Sequence, residues 1–141
     1  MSLLKAMDIL STGLNVQRQR MEITSSNLAN SQTTRTADGG PYRKKNAVLE
    51  AIPVDTDQGN FQATLHKVRV TKVADDPTPF RSVYDPGHPD ANPQTGIVQM
   101  PNVNVVEEMV DMVTASRSYE ANVTAFETLK QMASKAMEIG R

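Results

Sequence analysis

The last third of the chain, Asn104 to Ile139, constrains the fold more than any other stretch. It contains no Pro, and its first Gly comes only at Gly140. Steps of four and three residues from Val105 reach Met109, Met112, Ser116, Tyr119, Val123, Phe126, Lys130, Ala133 and Met137. Apart from Ser116 and Lys130 these are apolar, so they form one seam along a helix. Val106, Val110 and Val113 widen the start of that seam into a broad apolar face. Asn104 and Glu107 have the spacing of a helix-starting box, and Glu107, Glu108 and Asp111 suit the positive end of the helix dipole. At 1.5 Å per residue the helix runs roughly 54 Å. A small core cannot cover it, so something else must lie against it.

Residues 3 to 28 offer a partner. Leu3, Met7, Leu10, Leu14, Gln17, Met21, Thr24 and Leu28 repeat the four-three spacing and predict a helix of about seven turns. Gly13 weakens it by roughly 1 kcal/mol relative to Ala, and Ser2 is its N-cap. The helix should loosen from Ser25 to Asn30, where Ser, Asn and Thr side chains compete for backbone hydrogen bonds. The fold class is therefore mainly α with a small β element: long N- and C-terminal helices paired as an antiparallel coiled coil around a short β-rich and loop-rich middle. Residues 1–30 and 104–141 supply the two helices, and residues 31–103 supply the middle.

That middle is a different material, because all eight prolines fall between Pro41 and Pro101. Residues 31–40 form a polar loop ending in a Gly39-Gly40 turn signal. Tyr42 to Val54 is β-prone, with Pro53 marking an edge or bulge. A second run begins near Phe61 and includes the alternating stretch Lys67 to Val73, with Asp57 to Asn60 as the turn between them. These predict a two- to four-stranded antiparallel element with a thin core. From Asp75 to Pro101 six prolines predict extended loop, in which only Ile97 to Met100 could pair as a short strand.

Chemistry has little foothold here. The net charge of −1 is evenly spread, at +1 over residues 1–30, 0 over 31–103 and −2 over 104–141, so no basic patch suits a phosphate backbone. Arg43, Lys44 and Lys45 are the densest cations and read as a solvated strand edge or loop. The absence of Cys excludes disulfides and thiol chemistry. No run is long enough to span a membrane, and the N-terminus lacks the pattern of a cleavable signal. Asp85, His88 and Asp90 could be imagined as metal ligands, but prolines interrupt them and no second His is near, so a turn held by Asp side chains is the better reading. No catalytic, cofactor or metal site is expected.

Two seams with a surplus apolar face point to association. A two-helix pair leaves the Val105–Val113 face partly uncovered, and exposed apolar area on that scale marks an interaction surface. Thin two-helix cores are marginal, so the ends are expected to order on assembly. A head-to-tail contact that does not close gives a helical filament. A dimeric coiled-coil adaptor is the alternative.

Ser25-Ser26-Asn27-Leu28-Ala29-Asn30 resembles the N-terminal signature of bacterial flagellar axial proteins. Met100 to Met109 followed by Ala115 to Asn122 resembles their C-terminal signature, and Gly39 to Arg43 with Tyr84 to Asp90 narrows the resemblance to the proximal-rod (FlgC) family. The resemblance implies a structural subunit of the basal-body rod, the shaft that transmits torque through the periplasm to the hook. It also implies passage through the flagellar type III export apparatus without a cleaved signal. The implied partners are other rod proteins, the rotor-side adaptor and further copies of the chain. Its assembly interface would comprise Leu3, Met7, Leu10, Leu14, Met21 and Leu28 against Val105, Met109, Met112, Tyr119, Val123 and Phe126, within and between subunits, together with Val113, and with Asn27, Asn30 and Asn122 bonding at crowded joints.

Overall fold

A computed structural model describes residues 3–54 and 65–139. Helix α1 (Leu3–Ala29) and helix α2 (Val105–Ile139) enclose four strands in sequence: β1 (Lys45–Pro53), β2 (His66–Asp75), β3 (Arg81–Tyr84) and β4 (Ile97–Met100). The helices are antiparallel. Asn27 of α1 meets Glu108 of α2 at one end, and Gly13 lies against Asn122 further along. Fourteen residues back in one helix thus match fourteen forward in the other. Carried on, Leu3 falls level with Met132, and the last turns of α2 run past the start of α1.

α1 does not loosen at Ser25 as expected but continues to Ala29. Its polar end is satisfied from outside the helix: the Asn27 side chain bonds neighbouring elements, so it does not compete with the helix's own backbone. Asn104 opens α2, its carboxamide accepting the Val106 N–H at 3.1 Å. Gly13 proves to be a close approach, since a Cβ there would stand 3.2 Å from Asn122 Nδ2.

β1 and β2 form an antiparallel hairpin, Lys45 opposite Asp75 and Pro53 opposite His66, with a bulge between Val48 and Leu49. The turn expected at Asp57–Asn60 and the start expected near Phe61 lie outside the described residues, as does the Ser2 cap. The hairpin lies along α1. At one end Asn27 grips Lys45; at the other the Lys67 ammonium pairs with Asp8, and the Val68 N–H reaches Thr12 Oγ1 at 3.4 Å. Asp8 to Asn27 covers about 28 Å of helix and Lys67 to Asp75 about 27 Å of strand, so the lengths match.

The segment read as extended loop from Asp75 to Pro101 needs correction. β2 runs through Asp75, and β3 pairs with β4, Arg81 opposite Met100 and Tyr84 opposite Ile97. The prolines lie outside the paired residues, where they interrupt no ladder. Gly96 (φ 64°) makes the return possible: its carbonyl accepts the Asp85 N–H at 2.9 Å, and a Cβ there would meet the Tyr84 ring at 2.9 Å. The apolar core is short. Val98, Pro101 and Val103 are buried on the run into α2, and Val16 and Ala115 are buried on the two helices.

Candidate functional site

The side of α2 that the helix pair covers differs systematically from the anticipated seam. The covered side of α2 runs through Val105, Glu108, Met112, Ala115, Tyr119, Asn122, Phe126, Leu129 and Ala133, with Ser116, Ser118, Val123 and Ala125 half-buried beside them. The anticipated stripe shares Val105, Met112, Tyr119, Phe126 and Ala133 with it, but the alternate positions move back by one, from Met109 to Glu108 and from Ser116 to Ala115. Asn122 replaces Val123 at the centre, and Val123 stays half-buried beside it. Moving half the members by one residue turns the face by about 50°. Met109, expected in the seam, is 51% exposed, and Val113, on the widened face expected to stay partly uncovered, is 52% exposed, next to Val106 at 69% and Val110 at 59%. These four form a second apolar stripe on the side of α2 away from α1.

The difference is sharpest at the Asn27 end. Asn27 and Glu108 are each 1% exposed, although both are polar. The Asn27 carbonyl accepts the Lys45 N–H at 2.9 Å and the Tyr42 hydroxyl at 3.0 Å. Its amide donates to the Lys45 carbonyl at 2.9 Å and to Glu108 Oε2 at 3.0 Å. One carboxamide thus imitates a neighbouring strand toward Lys45 while holding the carboxylate of the other helix. Glu108 Oε1 faces the Lys44 ammonium at 2.7 Å. Burial by itself pulls the Lys44 pKa down; the hydrogen bond and charge of Glu108, with Glu107 and Asp111 behind it, outweigh that and hold it above the ordinary 10.5.

A ring of further bonds fixes the Arg43–Lys44 segment. The Lys44 N–H donates to Asn102 Oδ1 at 2.8 Å, and the Lys44 carbonyl accepts the Asp76 N–H at 2.8 Å. The Arg43 guanidinium donates to the carbonyls of Asp76 and Thr78 and lies 4.2 Å from the centre of the Phe80 ring. The Thr78 hydroxyl and N–H, with the Asn46 amide, hold the Asp76 carboxyl below the ordinary 3.8. Arg43 and Lys44, read from sequence as solvated cations, are thus structural. Sequence reasoning gave Glu108, Lys44 and Tyr42 no part in a joint between the elements. Their only signal was a carboxylate placed among the apolar residues at the start of the long helix.

Of the remaining predicted residues, Leu3, Met7, Leu10, Leu14, Met21 and Leu28 are half-buried on α1. Asn30 turns back on its own chain, donating to the Ser26 carbonyl at 2.9 Å. Asp85, His88 and Asp90 are engaged by their own turn and by the loop of residues 31–40. Asp85 Oδ1 accepts the Gly87 N–H, His88 Nδ1 accepts the Asp90 N–H, and Asp90 Oδ2 accepts the Thr34 hydroxyl at 2.7 Å. Among the described residues no three His, Cys, Asp or Glu side chains gather as a metal site requires, and no helix is long and apolar enough to cross a membrane.

Two family models match the chain. One, described as flagella basal body rod protein, matches residues 7–35. The other, described as flagellar basal body rod FlgEFG protein C-terminal, matches residues 94–139. They cover the two halves of the helix pair. Along its full length the chain is similar to curated proteins named flagellar basal-body rod protein FlgC. The one from Salmonella typhimurium is 43% identical, with 100% of both chains covered. That of Borreliella burgdorferi is 41% identical over 99% of this chain and 98% of its own. That of Bacillus subtilis is 40% identical over 100% of both.

Proposed function

The chain belongs to the FlgC family of flagellar basal-body rod proteins, and from that premise we propose that it builds the rod by packing the outward stripe of α2 against neighbouring subunits. It is a structural component of the basal body and associates with other rod components. Val106, Met109, Val110 and Val113 carry the proposal, because four large apolar side chains lie half or more exposed on one helical face that α1 cannot reach. Spaced by three and four residues, they have the form of a helix that docks into an apolar groove. Met109 suits such a joint because its flexible side chain repacks against dissimilar neighbours.

In this reading α1 and α2 form the inner layer of the shaft and the two hairpins lie outside it. Leu3, Met7, Leu10, Leu14, Met21 and Leu28 close the pair within a subunit, and Met112, Tyr119, Val123 and Phe126 meet them. The contacts made in parallel carry torque without any titrating or reacting group. The partners are further copies of the chain, other rod proteins and the rotor-side adaptor, reached in the periplasm after transit through the type III export apparatus. Met109→Asp tests this. The expected result is an exported, helical subunit that no longer restores motility to cells lacking the wild-type protein. Normal motility in that variant would sink the reading, and a closed dimer of the purified chain at every concentration would favour the adaptor alternative.

A further inference from the structure

We propose that the buried Lys44–Glu108 pair is a register key: it sets the rotation of α2 about its own axis and so holds the Val106–Val113 stripe away from α1. The proposal rests on the stripe being the assembly surface only for its consequence, not for the geometry. The sequence of α2 contains two competing seams. Val105, Met112, Tyr119, Phe126 and Ala133 belong to both, and the alternate places hold either Met109, Ser116 and Val123 or Glu108, Ala115 and Asn122. At the 108/109 and 122/123 places apolar burial favours the first set, Met over Glu and Val over Asn, whereas Ala115 over Ser116 and Leu129 over Lys130 favour the second. The structure buries Glu108 and Ala115 of the second set, with Ser116 and Val123 half-buried beside them, and the choice is sharpest at the 108/109 place. Glu108 lies at 1% exposure and Met109, one residue on, at 51%.

A buried carboxylate stands against that rotation unless it is paired and hydrogen-bonded, and here both oxygens are held. Lys44 takes Oε1 at 2.7 Å and Asn27 takes Oε2 at 3.0 Å. Lys44 comes from the segment ahead of β1, pinned by the Asn102 and Asp76 bonds, and Asn27 from α1. The rotation of α2 therefore follows the position of two other elements. A buried polar group that chooses one helix register over another is the best-attested use of such pairs. Further along, Gly13 against Asn122 admits the same rotation by leaving room for the amide.

The test follows from removing the cation alone. In Lys44→Met the carboxylate of Glu108 is left without its partner, and α2 escapes by turning Glu108 to water and Met109 inward. In the double variant Lys44→Met/Glu108→Leu an apolar side chain at 108 holds the original rotation without any charge. The chain has no Cys, so Met109→Cys gives a single reporter thiol. With the full chain and a small maleimide, labelling of that thiol is expected to slow at least tenfold in the Lys44→Met background and to recover to within about twofold in the double variant. Equal labelling in all three helical backgrounds overturns the proposal. If Lys44→Met does not fold, the double variant decides: folded with the reporter thiol open it supports the key, and unfolded or with the thiol protected it overturns it. Motility of the same variants without the reporter separates the two readings. Rotation accompanied by normal motility leaves the key standing and removes the stripe as the assembly surface.

Discussion

The two ends of the helix pair are held by different physics. Where α1 finishes and α2 begins, a buried carboxamide and a buried carboxylate are bound by named partners at 2.7 to 3.0 Å. Where α1 begins and α2 finishes, contacts are apolar and partial, and Leu4, Met132 and Met137 stand mostly exposed. Apolar contact is non-directional and tolerates several rotations of one helix on another. A saturated polar group tolerates one, because any other leaves its hydrogen bonds unmade. The polar end therefore specifies the geometry, and the apolar end accepts the geometry it is given. The far end also has apolar surface to offer a neighbour, which suits a subunit that finishes its core in an assembly.

Asn27→Leu should disturb this contrast most. It removes four hydrogen bonds at once and strands the Lys45 backbone and the Glu108 carboxylate, for an expected loss of about 3 kcal/mol in urea unfolding followed by circular dichroism. Ala115→Leu comes next, because Ala115 is fully buried on the covered stripe of α2. Overpacking there is expected to take away about 1–3 kcal/mol in the same assay. Met137→Ser at the far end should change the stability of the subunit by no more than about 0.5 kcal/mol, and a larger loss would show that this end also specifies the pairing.

The polar end should also be the one that responds to pH. Lys44 is raised above 10.5 in the folded chain, so its contribution is complete below 10.5 and is lost as pH rises through the raised value. Asp76 is lowered below 3.8, so its contribution is present above 3.8 and is lost as pH falls through the lowered value. Hydrogen exchange of the β1 amides, corrected for the intrinsic pH dependence of exchange, is expected to be slow and flat between those limits and to rise outside them, with the far turns of α2 unaffected. A corrected exchange rate that varies across the neutral range would mean that other groups govern the hairpin.

Much of this molecule can be read from residue order alone. The four-three repeats of Leu3–Leu28 and Val105–Met137 specify two helices and their pairing, since periodicity of that kind has few other uses. The alternation of Lys67–Val73 specifies a half-buried strand. β3 escaped notice because Arg81-Ser82-Val83-Tyr84 is short, exposed and bracketed by prolines, and its strand character comes from pairing with β4. Gly13 looked like a flaw in a helix, because the Asn122 amide it accommodates is remote in sequence.

For α2, the spacing of its apolar residues was enough to commit it to burying a heptad stripe containing Met112, Tyr119 and Phe126. Which of two such stripes it buries was settled only when distant elements met. The choice depends on Lys44 and Asn27, more than sixty residues away from Glu108 and brought to it by the loop ahead of β1 and the end of α1. Local pattern reports how much apolar surface a helix has on each side. Whether a carboxylate can occupy the inside depends on a cation delivered from elsewhere, and that delivery turns Met109 and its neighbours outward.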